Sequence, residues 1–450
     1  MKNTDKASLT IVLLLTLIVL ACGNILAQPD ENVEKKFKFS FSERVRLVSY
    51  DNAVTLSKDA NAANTFSRMR TSVMGQWFPV HSLELGAKLT HEFRNYFAPS
   101  TADFHMNEVI FDQLYLKWDT DKFVEGTLTL GRQNIMLGEG FVIMDASPCD
   151  GSRTSYFNAL RYDWNINKSN SLTFFYSYMN ETDDLPAING NDIDPSFQGD
   201  GSWELIEQDE TGFGIYYTGI FSELNLQSYY IRKDYNNPDI AVGQVDADVN
   251  TVGSRIVYSF DNHLSSTLEG AYQFGSRGGN NSSGFGCYAH VDYTLLSKIN
   301  FFPKVLTAGV IYLSGDDPST SDYEGWDALW GRWPKWSESY IYTQIKEYNG
   351  KPAYWTNLSS LYVAAAFYIY PGMNLITTYH HMTAPETAGS ASFPGGTGSI
   401  RGDLLQTKLT YAVNKNVSGH IVYERFMPGD YYFDGADPSN WTRFELLFNI

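Results

Sequence analysis

The chain has 450 residues, and aromatic side chains make up 15% of it although the mean hydropathy is only -0.28. This combination argues against a bundle of membrane helices, which needs long apolar runs. It suits strands that place every second side chain in lipid. The formal net charge of -18 argues against nucleic acid as a partner.

The first 27 residues have the pattern of an export signal. Lys2 and Lys6 precede the apolar run Ile11–Ala21, and small residues up to Ala27 offer a cleavage site. Lipidation at Cys22 is the alternative. We therefore expect residues 1–27 to be a signal peptide and residues 28–450 to form a single domain.

The two remaining cysteines do not suggest a disulfide framework. Cys149 falls in a predicted loop, and Cys287 falls on a predicted lipid-facing position. We expect two unpaired thiols.

Period-two alternation recurs along the whole mature chain. In Phe37–Leu47, Phe and Val alternate with Lys, Ser and Arg, which is the signal of a strand with two different faces. About eighteen segments share this pattern, the number of strands in a barrel with an aqueous lumen. They are Phe37–Leu47, Thr65–Phe78, Ser82–Arg94, Asn107–Trp118, Thr127–Leu137, Tyr156–Trp164, Ser171–Met179, Gly212–Ile220, Glu223–Lys233, Thr251–Phe260, Leu264–Gly275, Gly284–Leu295, Lys304–Ser314, Leu358–Tyr370, Asn374–Met382, Asp403–Val413, Val417–Met427 and Trp441–Ile450.

The connections alternate in length, as the strands of an outer-membrane barrel require. Short turns such as Asp261–His263 alternate with long polar loops such as Ser276–Ser283 and Gly315–Trp355. The last strand is amphipathic and rich in aromatics, which resembles the signal read by the barrel-insertion machinery. We predict an all-β transmembrane antiparallel barrel in the outer membrane of a Gram-negative-type cell, in contact with lipid and lipopolysaccharide.

Basic side chains occupy the predicted inward faces of these strands. Arginine keeps its charge and matches a carboxylate with two donors, so such a lumen suits an anionic solute. The alternative is that acids on the same faces, such as Glu92 and Glu445, pair with the bases and only stiffen the wall. The predicted lumen residues are Arg44, Arg46, Arg68, Arg70, Lys88, Arg94, Arg132, Arg161, Arg255, Lys408 and Arg443.

Arg132 conflicts with simple alternation. It shares strand parity with Leu128 and Leu130, which points it toward lipid, where an arginine at mid-depth costs about 2–4 kcal/mol. Either a bulge at Gly131 turns it into the lumen or it lies at headgroup level.

Three stretches resemble the alginate-export family of outer-membrane porins. They are Leu130–Gln133 with Phe157–Arg161, Ser314–Asp317 with the following aromatic loop, and the end of the chain from Gly402 through Tyr423–Phe426. The resemblance implies an 18-stranded barrel whose arginine-rich lumen passes an anionic polysaccharide. It also favours the lumen for Arg132.

We therefore expect a passive channel for anionic saccharides or polysaccharide, with a weakly selective nutrient porin as the alternative. An outer-membrane enzyme is a further alternative, since His263 precedes Ser265 by two residues and His380 lies near the outer end of its strand. We expect no metal site in the lumen and no cofactor, although acidic loops could hold Ca²⁺ without a defined calcium-loop spacing.

Overall fold

A computed structural model describes residues 36–52, 55–60, 63–100, 109–121, 124–145, 157–181, 185, 208–240, 244–295, 302–331, 336–337, 356–387 and 395–450. The predicted signal peptide and Cys149 lie outside these residues. Within them, no helix is both long and apolar enough to cross a membrane.

Eighteen strands in the described part of the chain form one antiparallel sheet, and two short strands form a separate hairpin. Every one of the eighteen predicted segments overlaps a strand of the sheet, which confirms the predicted fold. The strands are β1 (Phe37–Asp51), β2 (Asn64–Val80), β3 (Leu83–Ala98), β4 (Ile110–Asp119), β5 (Gly126–Gln133), β6 (Ile135–Met136), β7 (Met144–Asp145), β8 (Phe157–Asn167), β9 (Asn170–Met179), β10 (Asp209–Phe221), β11 (Leu224–Asn236), β12 (Ala247–Ser259), β13 (Leu264–Arg277), β14 (Asn280–Thr294), β15 (Pro303–Leu313), β16 (Leu358–Tyr370), β17 (Met373–Thr383), β18 (Ile400–Ala412), β19 (Val417–Pro428) and β20 (Ser439–Asn449).

The sheet closes on itself through its first and last strands. β1 pairs with β2 on one side and with β20 on the other. Phe41 and Ile450 complete the seam, each donating its backbone amide to the carbonyl of the other at 2.9 Å. Closure leaves no free sheet edge, so the backbone polar groups of the wall are paired without water.

The outer surface is apolar and aromatic. Phe37, Phe39 and Trp77 stack on one another with ring centroids 6.0–6.5 Å apart, and all three are exposed in the isolated chain. Such side chains face lipid in a membrane barrel and form its interfacial girdle. The half-buried Cys287, which forms no disulfide in the described part of the chain, lies opposite Tyr312 on this outer face.

Connections differ in length between the two ends of the barrel. The turn between β10 and β11 and the turn between β16 and β17 have two residues each, whereas the opposite end carries the segments 134–156 and 314–357. We call these ends the periplasmic and the outer end, because outer-membrane barrels keep short turns on the periplasmic side.

Two sequence predictions about this outer end are wrong. Ser276–Ser283 is not a long loop, because β13 and β14 continue to the two-residue turn Gly278-Gly279. Both glycines have positive φ, 58° and 86°, which a tight hairpin turn of this twist requires. The strand predicted over Thr127–Leu137 leaves the barrel wall after Gln133, and Ile135–Met136 pairs instead with Met144–Asp145.

Candidate functional site

Six arginines share one side of the lumen. We call this set the arginine wall: it lies on β20, β1, β2 and β3, which are neighbours in the closed sheet. Across the strand pairs Arg44 lies opposite Arg70, Arg46 opposite Arg68, and Arg68 opposite Arg94. The sixth member is Arg443 on β20.

One carboxylate is shared by three of these arginines. Glu92 accepts from Arg68 Nε at 2.5 Å, from Arg70 Nε at 3.1 Å and from Arg44 Nη2 at 3.4 Å. Its side chain is completely buried. A buried carboxylate held by several guanidinium groups stays ionised and fixes their positions.

A second carboxylate lies toward the periplasmic end of β20. Glu445 accepts from Arg46 Nε at 2.5 Å, and its other oxygen lies 3.2 Å from Nδ1 of His420. Arg443 Nε donates to His420 Nε2 at 2.8 Å, so the imidazole proton lies on Nδ1 and points at Glu445. Glu92 and Glu445 are thus ion-pair partners of four of the six arginines and fix the positions of these cations in the lumen.

The arginine wall has little surface open to solvent. Arg44, Arg46, Arg68, Arg70 and Arg443 are each between 2% and 6% exposed. Charges shielded from water are screened less by salt than charges on the surface. The wall therefore acts on the lumen chiefly through its electrostatic field.

Four more predicted lumen cations, Lys88, Arg161, Arg255 and Lys408, also face inward, and three of them form ion pairs. Lys88 Nζ lies 2.6 Å from Asp112, Arg161 Nε lies 2.9 Å from Asp163, and Arg255 Nη2 lies 2.5 Å from Glu139. Lys88 and Arg161 keep 17% and 25% of their side chains exposed. The remaining predicted cation, Lys408, lies opposite Val422 near the periplasmic end and forms no ion pair with another described residue.

Arg132 keeps its outward parity. The pairing of β5 with both neighbours passes through Gly131 without a register shift, so the bulge considered above is not formed. Arg132 is 2% exposed and donates to Asn158 Oδ1 at 3.1 Å and to the Phe111 carbonyl at 2.8 Å. These bonds tie together the outer ends of three strands.

Opposite the arginine wall, two chain segments enter the lumen and pack together. We call them the inset: residues 135–145, which include β6 and β7, and residues 325–331. Trp330 donates its backbone amide to Val142 O at 3.1 Å and accepts from Met144 N at 3.1 Å. The rings of Phe141 and Trp326 stack with centroids 5.1 Å apart.

The inset is fastened to β10–β14 by polar contacts. Asp327 accepts from Arg277 Nη2 at 2.7 Å and from the Tyr235 hydroxyl at 2.8 Å. Lys233 Nζ donates to Leu329 O at 2.9 Å and forms a buried ion pair with Glu210 at 2.8 Å.

Trp330 completes the attachment of the inset. Its indole donates to Glu210 at 2.9 Å, and its ring fills the space above Gly212, where a Cβ would lie 2.1 Å from the ring. Sequence reasoning missed this role of Glu210 and of Lys233. The available signal was the inward parity of Lys233, which lies opposite Gly212.

The comparisons with known proteins agree with this architecture. The family model described as alginate export matches residues 34–444. The chain belongs to the alginate export family. No curated protein matches it.

Several solved structures similar to this protein are outer-membrane proteins of Pseudomonas aeruginosa. OprD aligns with a TM-score of 0.59 at 10% identity, covering 93% of this chain and 95% of that one. OccK2 (OpdF), in complex with glucuronate, aligns with a TM-score of 0.58 at 11% identity, covering 92% and 98%. OccK5 (OpdH) aligns with a TM-score of 0.57 at 13% identity, again covering 92% and 98%. The likeness shows the fold, and with the family match it makes this protein an outer-membrane channel.

A contact between a serine and a histidine bears on the alternative that the protein is an enzyme. Ser360 Oγ lies 3.1 Å from His380 Nδ1, but the two residues are only 1% and 2% exposed. A nucleophile must reach its substrate, and this serine is buried. Within the described residues, no cluster of three or more His, Cys, Asp or Glu side chains could hold a metal ion.

Proposed function

We propose that this channel passes small anionic solutes, above all saccharides that carry a carboxylate. The observation that carries the proposal is the arginine wall, which gathers six arginines on the inward faces of four adjacent strands around Glu92 and Glu445. A positive field along a confined path raises the local concentration of anions and speeds their entry.

The inset favours short saccharides over a polymer as the solute. It occupies the side of the lumen opposite the arginine wall, and Arg255 and Arg277 hold it there through Glu139 and Asp327. A polysaccharide would need the inset to move. The proposal involves no cofactor, and it takes lipid, lipopolysaccharide and the barrel-insertion machinery as the other partners of the barrel.

A weakly selective porin is the second candidate. It is favoured by the ion pairs Lys88–Asp112, Arg161–Asp163 and Arg255–Glu139, in which a cation exposed to the lumen is matched by an acid. Such matched pairs leave selectivity to the arginine wall alone.

The zero-current potential across a KCl gradient separates these two candidates. We expect the purified protein in a planar bilayer to give the sign of an anion-selective pore. Proteoliposomes should take up glucuronate faster than glucose, which has nearly the same size and no charge. A cation-selective sign, or equal uptake of the two sugars, would contradict the proposal. If the wild type does not conduct, Trp330→Gly releases the inset, and silence of that variant as well would exclude an anion pathway past the wall.

A further inference from the structure

A cavity of about 350 Å³ whose lining includes several polar side chains lies in the lumen wall at the periplasmic end. Four strands contribute to it, and it opens beside the first residues of β17 and the last residues of β18. Cavities of this size hold small molecules in proteins. Its lining residues with polar side-chain groups are Asn374, Thr410, Tyr411, Ser418, His420 and Glu445.

The cavity is the lower end of a continuous row of inward positions. The register of the sheet places seven side chains directly beside one another across seven strands. Because barrel strands are tilted, such a row climbs along the wall. It begins two residues into β17 and ends near the outer end of β3. In order, it contains Asn374, Thr410, His420, Glu445, Arg46, Arg68 and Arg94.

The cavity contains an acceptor without a donor. Asn374 Oδ1 is buried and receives no hydrogen bond from any described residue. A buried acceptor left in this state costs about 1–3 kcal/mol, which a ligand hydroxyl would recover once the amide turns toward the cavity. The hydroxyl of Thr410, which donates to the backbone carbonyl of Asn374 at 3.4 Å, lies on the same lining.

The cavity also has a cation beside it. Lys408 takes the next inward position above Thr410 on β18 and lies opposite Val422, which is the next inward position above His420. Among the described residues no carboxylate lies within ion-pair distance of Lys408. The one acid of the lining, Glu445, is already engaged by Arg46 and His420.

We propose that this cavity binds a monosaccharide acid, with the carboxylate on Lys408 and a ring hydroxyl donating to Asn374 Oδ1. The inference rests on the proposed function. It adds a binding site at the periplasmic end of the lumen, next to Arg46 and the rest of the arginine wall. A neutral sugar lacks the charge that Lys408 attracts, and acetate lacks the hydroxyl that Asn374 accepts. The site therefore selects a ligand that carries both a carboxylate and a ring hydroxyl.

Calorimetric titration of the full-length purified protein tests the site. Glucuronate, glucose and acetate serve as probes, and Lys408→Met is compared with Lys415→Met, which removes the same charge from an exposed periplasmic turn. We expect glucuronate to bind the wild type at least tenfold more tightly than either other probe. Lys408→Met should lose that binding about tenfold while Lys415→Met keeps it. Asn374→Leu should bring the affinity for glucuronate close to that for acetate.

Three outcomes overturn the site: no glucuronate binding to the wild type, equal losses in the two lysine variants, or acetate binding as tightly as glucuronate. The zero-current potential separates these failures from failure of the proposed function. Anion selectivity with glucuronate binding unaffected by Lys408→Met rejects the cavity and leaves the anion channel intact. A cation-selective wild type rejects the channel proposal itself. A heat-dependent gel shift equal to that of the wild type shows that each variant has folded.

Discussion

Arg46 lies directly opposite Arg68 in the pairing of β1 with β2, and the two guanidinium groups are held by different carboxylates, Glu445 and Glu92. Like charges directly opposite one another destabilise a sheet. A wall that served stability alone would alternate signs at these positions. The accumulation of cations here is better explained by a solute that carries the opposite charge.

Replacement of Glu92 by glutamine should move stability and selectivity in opposite directions. It leaves Arg44, Arg68 and Arg70 without their shared carboxylate, and breaking a buried ion pair lowers the free energy of unfolding by about 3–5 kcal/mol. The lumen simultaneously gains one positive charge, so the zero-current potential should become more strongly anion-selective. Urea unfolding in detergent and bilayer recording provide the two measurements.

The matched control for this variant is Glu223→Gln, which removes the same charge from an exposed turn. It should change neither quantity. A Glu92→Gln protein that is less stable but has unchanged selectivity would assign the arginine wall to structure alone.

Arg68→Gln should reduce anion selectivity. Arg68 lies in the lumen, whereas Arg232 lies opposite the lipid-exposed Phe213 and pairs with Asp234 at 2.8 Å. Arg232→Gln is the matched control: it makes the same change of charge on the outer face and should not change the zero-current potential. Equal shifts in the two variants would mean that total charge, not position in the lumen, sets selectivity. Glutamine is chosen because a glutamate at position 68 would place a second carboxylate against Glu92.

The strands and their inward faces were predictable because period-two alternation is a local property of the sequence. The row of inward side chains from Asn374 to Arg46 could not be predicted from the sequence. A cross-strand register depends on where each turn ends and on the stagger of the closed sheet. Arg132 shows the same division: its parity was readable, but its hydrogen bonds to Asn158 and Phe111 depend on the placement of two other strands.

The inset was also beyond sequence reasoning. Residues 135–145 look like the continuation of a strand, and residues 325–331 have no regular pattern. Their position is decided by two tertiary contacts, the ring of Trp330 over Gly212 and the ring of Trp326 over Gly286. Both contacts join residues that are far apart in the sequence. Irregular segments take their conformation from such tertiary contacts.

Gly212→Leu should loosen the inset. A Cβ at this position would lie 2.1 Å from the Trp330 ring, so the larger side chain has to displace the indole and its hydrogen bond to Glu210. We expect a larger or more fluctuating single-channel conductance with the barrel still folded. Gly270→Leu is the control, because its Cβ would meet nothing closer than the Cβ of Cys287 at 3.6 Å. A Gly212→Leu channel identical to the wild type would show that Trp330 does not narrow the path.

Lys58 and Asp437 join two outer loops. We expect this contact to be lost only at acidic pH. Asp437 accepts from the Lys58 amide at 2.8 Å and forms an ion pair with its ammonium at 3.0 Å. These hydrogen bonds lower the pKa of the Asp437 carboxyl below its ordinary value of 3.8. A lowered pKa means that the stabilisation is complete above the ordinary value and is lost as the pH falls through the lowered one.

Hydrogen exchange of the peptide covering residues 55–60 measures the link. After correction for the intrinsic rate, its protection should be constant from pH 7 to about pH 4.5 and should fall below about pH 3.8. Asp437→Asn should lower protection several-fold at neutral pH and remove the acid transition, because the amide side chain cannot form the ion pair. Asp434→Asn, in the same loop, should behave as the wild type. An acid transition that persists in Asp437→Asn would place the titrating group elsewhere in the outer loops.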